Sequence, residues 1–304
     1  MHESRGCSTR SAAARRTTTS RSEHGRIHGE RAVNTNESFA GQVIAVTGGA
    51  QGIGLAIAQR LASHGATLAI ADINLEKAEQ ASAQLRAAGG EAMALQVDVT
   101  QRSACERMVA DIVARFGRLD VMICNAGVVQ VKPFLEIDEK DWDTVLGVNA
   151  KGVFLTVQAA ARQMRSQTPI APNRPKGKII NLSSIAGRYG AGPMAPLTPH
   201  YRASKAAVIS ITQTCAYALA PDVTVNAICP GLVETDMWKQ IDQQWTEIAN
   251  WKSGDAWKSR VSAVPLGRPQ TSEDVAGLAA YLVSKDSDYM TGQSVNMDGG
   301  LSMS

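Results

Sequence analysis

Tyr201 and Lys205 are the two residues of this chain whose types and spacing best suit proton transfer. On a helix, side chains four positions apart lie on one face, one above the other. A free phenol has a pKa of about 10 and is a poor base at neutral pH, but a neighbouring ammonium lowers that pKa. The pair is therefore a candidate general acid and base for a hydroxyl proton. Because the same spacing is typical of an ordinary surface helix, the surrounding elements must decide between the two interpretations.

The charge balance of the chain excludes several classes of partner. The 304 residues carry a formal net charge of +3, and residues 1–38 account for all of it because they hold seven Arg and four Glu. Residues 39–304 are therefore formally neutral and lack the basic field with which proteins bind nucleic acids or anionic membranes. The chain has no stretch of about 18 apolar residues, so a membrane-spanning helix is not predicted. We expect neither a nucleic-acid partner nor a membrane partner.

Residues 1–38 differ in composition from the rest of the chain. They are rich in Ser, Thr, Arg and Gly and hold almost no large apolar residues, which predicts a disordered basic N-terminal tail. Arg and Ser enrichment is also typical of organelle-targeting peptides, but the apolar positions show little amphipathic spacing, so an upstream start codon or a dispensable extension is an equal alternative. Scattered cysteines without CxxC spacing indicate reduced thiols, a cytoplasmic location and no metal site.

A glycine-rich loop follows the first predicted strand, 42–47, and precedes a helical pattern that runs from residue 55 to about residue 64. Glycines permit a tight turn and a close approach of the backbone to a pyrophosphate. The helix N-terminus adds free N–H groups and the positive end of a dipole. This order of elements predicts a phosphate cradle at Gly48, Gln51, Gly52, Ile53 and Gly54.

An acidic residue ends the second predicted strand, 67–71. Asp72 lies 20 residues after Gly52 and precedes Ile73. A carboxylate at this position accepts hydrogen bonds from the adenosine ribose hydroxyls and repels a 2′-phosphate. The position predicts NAD rather than NADP, and an Asp in an ordinary strand-to-helix turn is the alternative.

Strands and helices alternate through the first half of the chain. Predicted helices at about 75–88 and 102–116 separate predicted strands at 91–97 and 119–124. The alternation implies right-handed βαβ units and a parallel sheet covered by helices on both faces. Ligands of such sheets bind beyond the carboxyl ends of the strands, which is where Asp72, Asp98 and Asn125 are expected.

The second half of the chain supplies the remaining candidate residues. A long helical region is predicted over about 138–166, and helix propensity alone suggests that Asn149 within it lies at the surface. A fifth predicted strand, 179–182, precedes Ser183 and Ser184, and Ser184 lies 17 positions before Tyr201. A strand at 223–228, a helix at about 272–284 and a strand at 292–297 complete the pattern.

Taken together, these motifs resemble the short-chain dehydrogenase/reductase family. The matching residues are Thr47-Gly48-Gly49-Ala50-Gln51-Gly52-Ile53-Gly54, Asp98-Val99, Asn125-Ala126-Gly127, Asn149, Ser183-Ser184, Tyr201-Arg202-Ala203-Ser204-Lys205, Pro230-Gly231 and Asp298-Gly299-Gly300. The resemblance covers about 40–304. It implies an α/β fold, a Rossmann-type doubly wound parallel sheet of about seven strands, in a single three-layer α/β/α domain over 39–304. It also implies a homotetramer.

The resemblance implies roles for individual residues. Tyr201 would be the base in alcohol oxidation and the acid in carbonyl reduction, while Lys205 would lower its pKa and hold the ribose. Ser184 would stabilise the developing charge on the substrate oxygen, and Asn149 would hold a water that links Lys205 to solvent. The residues implied in NAD binding are Gly48, Gln51, Gly52, Ile53, Gly54, Asp72, Ile73, Asp98, Val99, Asn125, Ala126, Gly127, Tyr201, Lys205, Pro230, Gly231, Val233 and Thr235.

The spacing between the serine and the tyrosine departs from the family pattern. The family usually places its catalytic serine at the position that Arg188 occupies here. Because Ser184 keeps the local context of that serine, we expect a four-residue insertion within 185–200. Ser183 remains the alternative to Ser184.

Residues 232–264 interrupt the alternation and hold Trp238, Trp245, Trp251 and Trp257, four of the five tryptophans. Their roughly helical spacing has two interpretations. The tryptophans form a helical stripe that packs on the core or on a neighbouring subunit, or the segment is a helical lid over the substrate, and both interpretations can be correct at once. A lid would exclude water and form an amphipathic wall suited to a polyol or diol.

The function predicted from these features is NAD-dependent interconversion of a secondary alcohol and its ketone without a metal. Residues 234–238 and 287–293 resemble diol and sugar-alcohol dehydrogenases of the 2,3-butanediol or sorbitol kind. One alternative is a 3-oxoacyl (acyl carrier protein) reductase or another carbonyl reductase, which would more often have a basic residue near Asp72 for NADPH. The other is a non-catalytic NAD-sensing protein, which would not need a proton relay.

Overall fold

The described part of the structure, a computed structural model, comprises residues 38–302, so the predicted tail lies outside the described residues except for Ser38. Within 38–302, seven parallel strands form one sheet: β1 (Val43–Thr47), β2 (Thr67–Asp72), β3 (Glu91–Gln96), β4 (Val121–Cys124), β5 (Gly177–Leu182), β6 (Val223–Pro230) and β7 (Ser294–Met297). Their spatial order is β3-β2-β1-β4-β5-β6-β7. The direction of winding reverses between β1 and β4, and open α/β sheets bind ligands at such a switch point.

Helices cover both faces of the sheet. They are α1 (Gly52–Ala62), α2 (Leu75–Ala87), α3 (Arg102–Phe116), α4 (Glu139–Leu146), α5 (Gly152–Ser166), α6 (Pro199–Leu219), α7 (Asp236–Ala249), α8 (Asp255–Val261) and α9 (Ser272–Val283). Ile44 and Val46 of β1 pack in one apolar cluster with α1, α2 and α9, whereas Val43 and Ala45 pack in another with α3, α5 and α6. Alternate residues of one strand thus serve two cores, which confirms the predicted three-layer α/β/α architecture.

The predicted long helix over 138–166 is divided in the structure. α4 ends at Leu146, a π-helical turn spans Gly147–Lys151, and α5 begins at Gly152, whose N–H donates to the carbonyl of Gly147. A π turn contains one residue more than an α turn, so it changes the direction of the side chains within it. Asn149 lies in this turn and is 0% exposed. The prediction that Asn149 lies at the surface was therefore wrong.

The segment 232–264 contains α7 and α8 and no strand, as its composition predicted. None of the helices within 38–302 combines the length and the apolar character needed to cross a membrane.

Candidate active site

Tyr201 and Lys205 occupy the first two turns of α6, at the carboxyl edge of the sheet. Lys205 is 5% exposed, and its Nζ donates to the carbonyl oxygen of Leu182 at 2.7 Å. The Nζ lies 5.8 Å from the centroid of the Tyr201 ring. Burial lowers the pKa of Lys205 to about 8, because a charged ammonium loses hydration inside the protein. α6 thus places an ammonium whose pKa is close to neutral pH beside a phenol.

Burial raises the pKa of Tyr201, and this effect outweighs the hydrogen bond with Ser184 and the positive charge of Arg202, which both lower it. The direction is opposite to the lowering by Lys205 that the sequence led us to expect. The reason is that desolvation of the phenolate dominates, while the Lys205 ammonium donates to a backbone carbonyl. In the protein alone Tyr201 is therefore protonated at neutral pH, which is the state of a general acid.

Ser183 and Ser184 follow β5 and make different contacts. The Ser184 side chain hydrogen-bonds the side chain of Tyr201, and its Oγ accepts from the Ala186 N–H at 3.1 Å. The Oγ of Ser183 donates instead to the carbonyl of Lys205 at 2.8 Å. The geometry therefore brings Ser184, and not Ser183, to the phenol. The chain between Ser184 and Tyr201 includes a run of exposed residues, 188–193, and the four-residue insertion within 185–200 stays a prediction.

Asn149 connects the end of β4 to α6. Its Oδ1 accepts from the Val128 N–H at 2.8 Å, and its Nδ2 donates to the Val128 carbonyl at 2.9 Å and to Ser204 Oγ at 3.0 Å. A Cβ added at Gly127 would lie 3.3 Å from Asn149 Oδ1 and 3.5 Å from Lys205 Nζ, so both polar groups border this glycine. The contacts make Asn149 a positioning residue for α6, and its role in holding a water stays a prediction.

Two adjoining cavities lie at the carboxyl edge of the sheet. The first, called here the tyrosine cavity, is lined by Ser184, Tyr201 and Lys205 together with Pro230, Gly231 and Val233. The second, called here the glycine cavity, is lined by the predicted cofactor residues Gly48, Gln51, Gly52, Ile53, Asp72, Ile73, Asp98, Val99, Asn125, Ala126, Gly127 and Thr235. The cavities share lining residues, among them Asn125 and Thr235, so they form a continuous cleft. Of the predicted cofactor residues, only Gly54 lines neither.

The glycines of the loop meet three different requirements. Gly48 has a φ of +61°, and a Cβ there would lie 2.9 Å from the Ala126 Cα. A Cβ at Gly54 would lie 2.3 Å from the Gly48 carbonyl oxygen, so this glycine permits close packing of α1 on the loop. Gly52 faces the cleft, since the only atom near its absent Cβ is Thr235 Cγ2 at 3.8 Å. The loop therefore leaves open the space that a ligand at the start of α1 needs.

The N-terminus of α1 fits a pyrophosphate group. Its N-cap residue Gln51 makes no side-chain capping bond, and the first turn holds no acidic residue. The first N–H groups of a helix lack partners within it and favour an anion at that position. The Asn125 Nδ2 donates to the carbonyls of Thr47 and Gly48 at 3.1 and 2.8 Å, so Asn125 braces the loop that surrounds this position.

The other end of the glycine cavity is acidic. Asp72 Oδ2 accepts from the Ala50 N–H at 3.3 Å, and Asp98 Oδ1 accepts from the Thr100 N–H at 2.9 Å. The residues that line this cavity include no Lys, Arg or His. Lys77 stands outside the lining and donates to Gln51 Oε1 at 2.8 Å. This end fits ribose hydroxyls better than it fits a phosphate monoester.

α7 and α8 form one packed unit beside the tyrosine cavity. The carboxylate of Asp242, which is 8% exposed, accepts from the N–H groups of Gly254 at 2.7 Å and Trp257 at 2.9 Å. The rings of Trp238 and Trp257 lie 5.2 Å apart, and those of Trp245 and Trp251 lie 5.5 Å apart. An apolar cluster that includes Trp245 joins this unit to Val129, Val131 and the ring of Tyr201.

Sequence reasoning missed four residues of this region. Arg202 and Arg260 line the tyrosine cavity, Asp242 anchors α8, and Gln270 Oε1 accepts from the Gly231 N–H at 3.1 Å. Arg202 stands between the tyrosine and the lysine, and its position within that motif could have identified it. The other three belong to no local motif, because their partners come close only in the folded chain. Among residues 38–302, no group of three or more His, Cys, Asp or Glu side chains is placed to hold a metal ion.

Comparisons with known proteins identify relatives that match most of this chain. The family described as "Enoyl-(Acyl carrier protein) reductase" matches residues 48–302. A diacetyl reductase [(S)-acetoin forming] of Staphylococcus epidermidis is 41% identical over 258 residues, which is 84% of this chain and 96% of that protein. An L-2,3-butanediol dehydrogenase of Corynebacterium glutamicum is 40% identical over 263 residues, 86% of this chain and 98% of that protein.

A solved structure of NAD+-bound xylitol dehydrogenase is also similar to this chain. It superposes with a TM-score of 0.78 at 35% sequence identity, and the match covers 86% of this chain and 99% of that one. The extent of these matches, together with the ordered motifs and the fold, shows that the chain belongs to the short-chain dehydrogenase/reductase family.

Proposed function

We propose that this protein interconverts a secondary alcohol and its ketone, with NAD as the redox cofactor. The observation that carries the proposal is the hydrogen bond between Ser184 and Tyr201 in the tyrosine cavity, with Lys205 bordering the same cavity. A substrate oxygen next to both hydroxyls would lie in the cavity that is continuous with the glycine cavity. NAD, when bound, supplies the hydride acceptor for alcohol oxidation and, as NADH, the donor for ketone reduction.

Each side chain has a separate task in the proposed reaction. Ser184 donates a hydrogen bond to the substrate oxygen and stabilises the charge that develops there. Tyr201 Oη gives its proton to that oxygen in reduction and takes the hydroxyl proton in oxidation. Because burial raises the pKa of Tyr201, reduction begins from the state that the protein already favours. Oxidation requires a phenolate, which the positive charge of Arg202 and the hydrogen bond with Ser184 favour.

NAD rather than NADP is the proposed cofactor. The carboxylates of Asp72 and Asp98 line the adenosine end of the glycine cavity, and no basic side chain among its lining residues would neutralise a 2′-phosphate. A solved relative is described as NAD+-bound, which agrees with this preference. The absence of a basic lining residue also argues against the 3-oxoacyl reductase that the acyl-carrier description of the family would suggest.

A diol, sugar alcohol or other polyol is the proposed class of substrate. The relatives at 40 and 41% identity act on diacetyl and 2,3-butanediol according to their names. The α7–α8 unit serves as a lid in this proposal, because Met237, Trp238 and Ile241 line the tyrosine cavity together with Ser184 and Tyr201. Such a wall excludes water and still accepts a carbon chain with several hydroxyls.

The proposal is tested by following NADH formation with purified protein, NAD or NADP, and a panel of diols, sugar alcohols and hydroxyacyl thioesters. We expect NAD to be reduced by a diol or polyol. Tyr201→Phe should lower kcat by about 10²–10⁴-fold and retain NADH binding. Tyr217→Phe is the matched control, because Tyr217 lies near the other end of the same helix and is 92% exposed.

Three outcomes would contradict the proposal. Turnover at the wild-type rate in Tyr201→Phe would remove the tyrosine from the mechanism. A preference for NADPH and a hydroxyacyl thioester would identify a 3-oxoacyl reductase. NADH binding without turnover of any alcohol would favour the non-catalytic NAD-sensing protein.

The homotetramer implied by family resemblance is also part of the proposal. Phe154 on α5 is 40% exposed and Tyr217 on α6 is 92% exposed, so both long helices carry apolar surface that a neighbouring subunit could cover. Light scattering on the eluting protein should give four times the mass of one chain, and a monomeric mass would contradict the assembly.

A further inference from the structure

The tyrosine cavity has an unbalanced charge. Its lining residues include three cationic side chains, Arg202, Lys205 and Arg260, and no Asp or Glu. The remaining lining residues are apolar or neutral. Lys205 is bound to the carbonyl of Leu182 and belongs to the proton-transfer machinery described above. Arg202 contributes its positive charge to that chemistry, but its free N–H donors and the whole of Arg260 are not explained by it.

Arg202 and Arg260 come from different elements and are incompletely paired. Arg202 Nη1 donates to the Tyr189 carbonyl at 2.7 Å, and its guanidinium lies 5.8 Å from the centroid of the Tyr189 ring. The Nε atoms of both arginines are buried and have no hydrogen-bond partner among residues 38–302. Neither guanidinium forms an ion pair with a carboxylate in that part of the chain. Apart from the bond of Arg202 Nη1, the Nη atoms of the two arginines make no hydrogen bond among residues 38–302, so both guanidinium groups keep donors for a molecule in the cavity.

An anion would complete this arrangement. Burial lowers the pKa of Arg202 and the positive charge of Arg260 lowers it further, so the two like charges lie close enough to repel each other. Partly buried charges of one sign without a counterion lose hydration that an anion between them would compensate. The position of Arg260 in the last turn of α8 is favourable for the helix dipole, but that accounts for its place on the helix and not for its place in the cavity wall.

We infer that the natural substrate carries an anionic group, a carboxylate or a phosphate monoester, which binds to Arg202 and Arg260 while Ser184 and Tyr201 hold the reacting hydroxyl. Guanidinium groups bind both anions through paired N–H donors, and they do so best where water is excluded. The inference rests on the proposed alcohol oxidation at the same cavity and specifies its substrate. A polyhydroxy acid or a polyol phosphate fits it, and a neutral diol or sugar alcohol fits it less well.

Matched substrates isolate the contribution of the charge. Sorbitol, gluconate and sorbitol 6-phosphate share a six-carbon chain, and 2-butanol and 3-hydroxybutanoate form a smaller pair. Wild-type protein, Arg260→Gln and Arg260→Lys are assayed with each compound and NAD. Lys258→Gln is the control, because it removes an exposed charge from the same helix. Circular dichroism and thermal unfolding establish that each variant is folded.

We expect kcat/KM of the wild-type protein to be at least about tenfold higher for an anionic member than for its neutral counterpart. Arg260→Gln should raise KM for the anionic members by roughly tenfold to a hundredfold, more than for the neutral ones. Arg260→Lys should restore part of the loss, because it restores the charge without the paired donors. Lys258→Gln should behave as wild type. A gluconate preference would identify the carboxylate, and a sorbitol 6-phosphate preference the phosphate.

Calorimetric titration of the same compounds into the complex with NADH gives a readout that does not depend on turnover. If Arg260→Gln weakens the binding of an anionic compound, the inference is supported even when no alcohol in the panel is oxidised. The lack of oxidation would then count against the proposed function alone. If neutral alcohols were oxidised as efficiently as their anionic counterparts, the inference would be overturned while the proposed function would stand. Failure of every anionic compound to bind would also overturn the inference.

Discussion

Replacement of Lys205 with methionine should change how the stability of the protein depends on pH. Lys205 is 5% exposed, its ammonium makes one hydrogen bond to Leu182, and burial lowers its pKa from 10.5 to about 8. Methionine keeps most of the length of the buried chain but cannot carry a charge. The difference in unfolding free energy between the two proteins therefore reports the cost of keeping this ammonium inside the fold.

The size and the sign of the effect follow from the pKa shift. Below pH 8 the folded and the unfolded chain both hold the proton, so wild type carries the full cost of about 3 kcal/mol. Between pH 8 and 10.5 the unfolded chain holds more protons than the folded chain, and the stability of wild type rises with pH relative to the variant. About 2 kcal/mol of the cost should disappear between pH 7 and 9.5. The loss of the hydrogen bond to Leu182 shifts the difference in unfolding free energy by the same amount at every pH and does not change how that difference depends on pH.

Urea unfolding at half-unit steps from pH 7 to 9.5, at constant salt, measures this slope. Ionisation of the buried cysteines and of Tyr201 also changes stability in alkaline solution, but both proteins contain these groups and the difference largely removes them. Lys258→Met serves as the control, since the exposed ammonium of Lys258 is hydrated in the folded and unfolded chain alike.

A difference between wild type and Lys205→Met that stays constant from pH 7 to 9.5 would refute the reasoning. It would mean that the ammonium of Lys205 is as well stabilised in the fold as in water, so that burial at the end of β5 does not control its protonation. A slope of the predicted size would show that Lys205 is poised to lose its charge near neutral pH.

Two further predictions concern the loop and the lid. Gly54→Ala should raise the dissociation constant of NADH about a hundredfold, because the new Cβ would lie 2.3 Å from the Gly48 oxygen and displace the loop. Calorimetry compares this variant with the control Gly277→Ala, in which the new Cβ has no atom within 4 Å. Equal affinities of the two variants for NADH would contradict the prediction. Asp242→Asn should accelerate hydrogen exchange of the Gly254 and Trp257 amides by about tenfold or more. Glu247→Gln makes the same charge change on the exposed surface of α7 and should leave their exchange rates unchanged. Equal exchange rates in the two variants would count against Asp242 as the anchor of α8.

The parts of the site that could be predicted from the sequence are those in which neighbours along the chain cooperate. The glycine loop acts through seven consecutive residues, and Tyr201 and Lys205 share a face of one helix. Asp72 and Asn125 end parallel strands, and parallel strands place their carboxyl ends at one edge of the sheet. For these features, local spacing and the alternation of strands and helices are sufficient, because the fold follows from the same pattern.

Other features depend on segments that the chain brings together only when it folds. Helix propensity placed Asn149 at the surface, but a π turn and the contact with Val128 bury it. Ser183 and Ser184 are alike in type and adjacent in sequence, and only the direction of each side chain relative to α6 distinguishes them. Local spacing could not decide either question, because each depends on a partner 17 or more positions away.

The sequence by itself determined the class of fold, the position of the candidate dinucleotide cleft and the pair of residues suited to move a proton. The tertiary structure alone decided the direction in which the pKa values of that pair shift and the charge of the tyrosine cavity. Burial raises the pKa of Tyr201 and lowers that of Lys205, and the packing of α8 brings Arg260 to the cavity that Arg202 also lines. Both outcomes follow from desolvation and charge proximity, which depend on how the whole chain packs around a group and not on its neighbours in sequence.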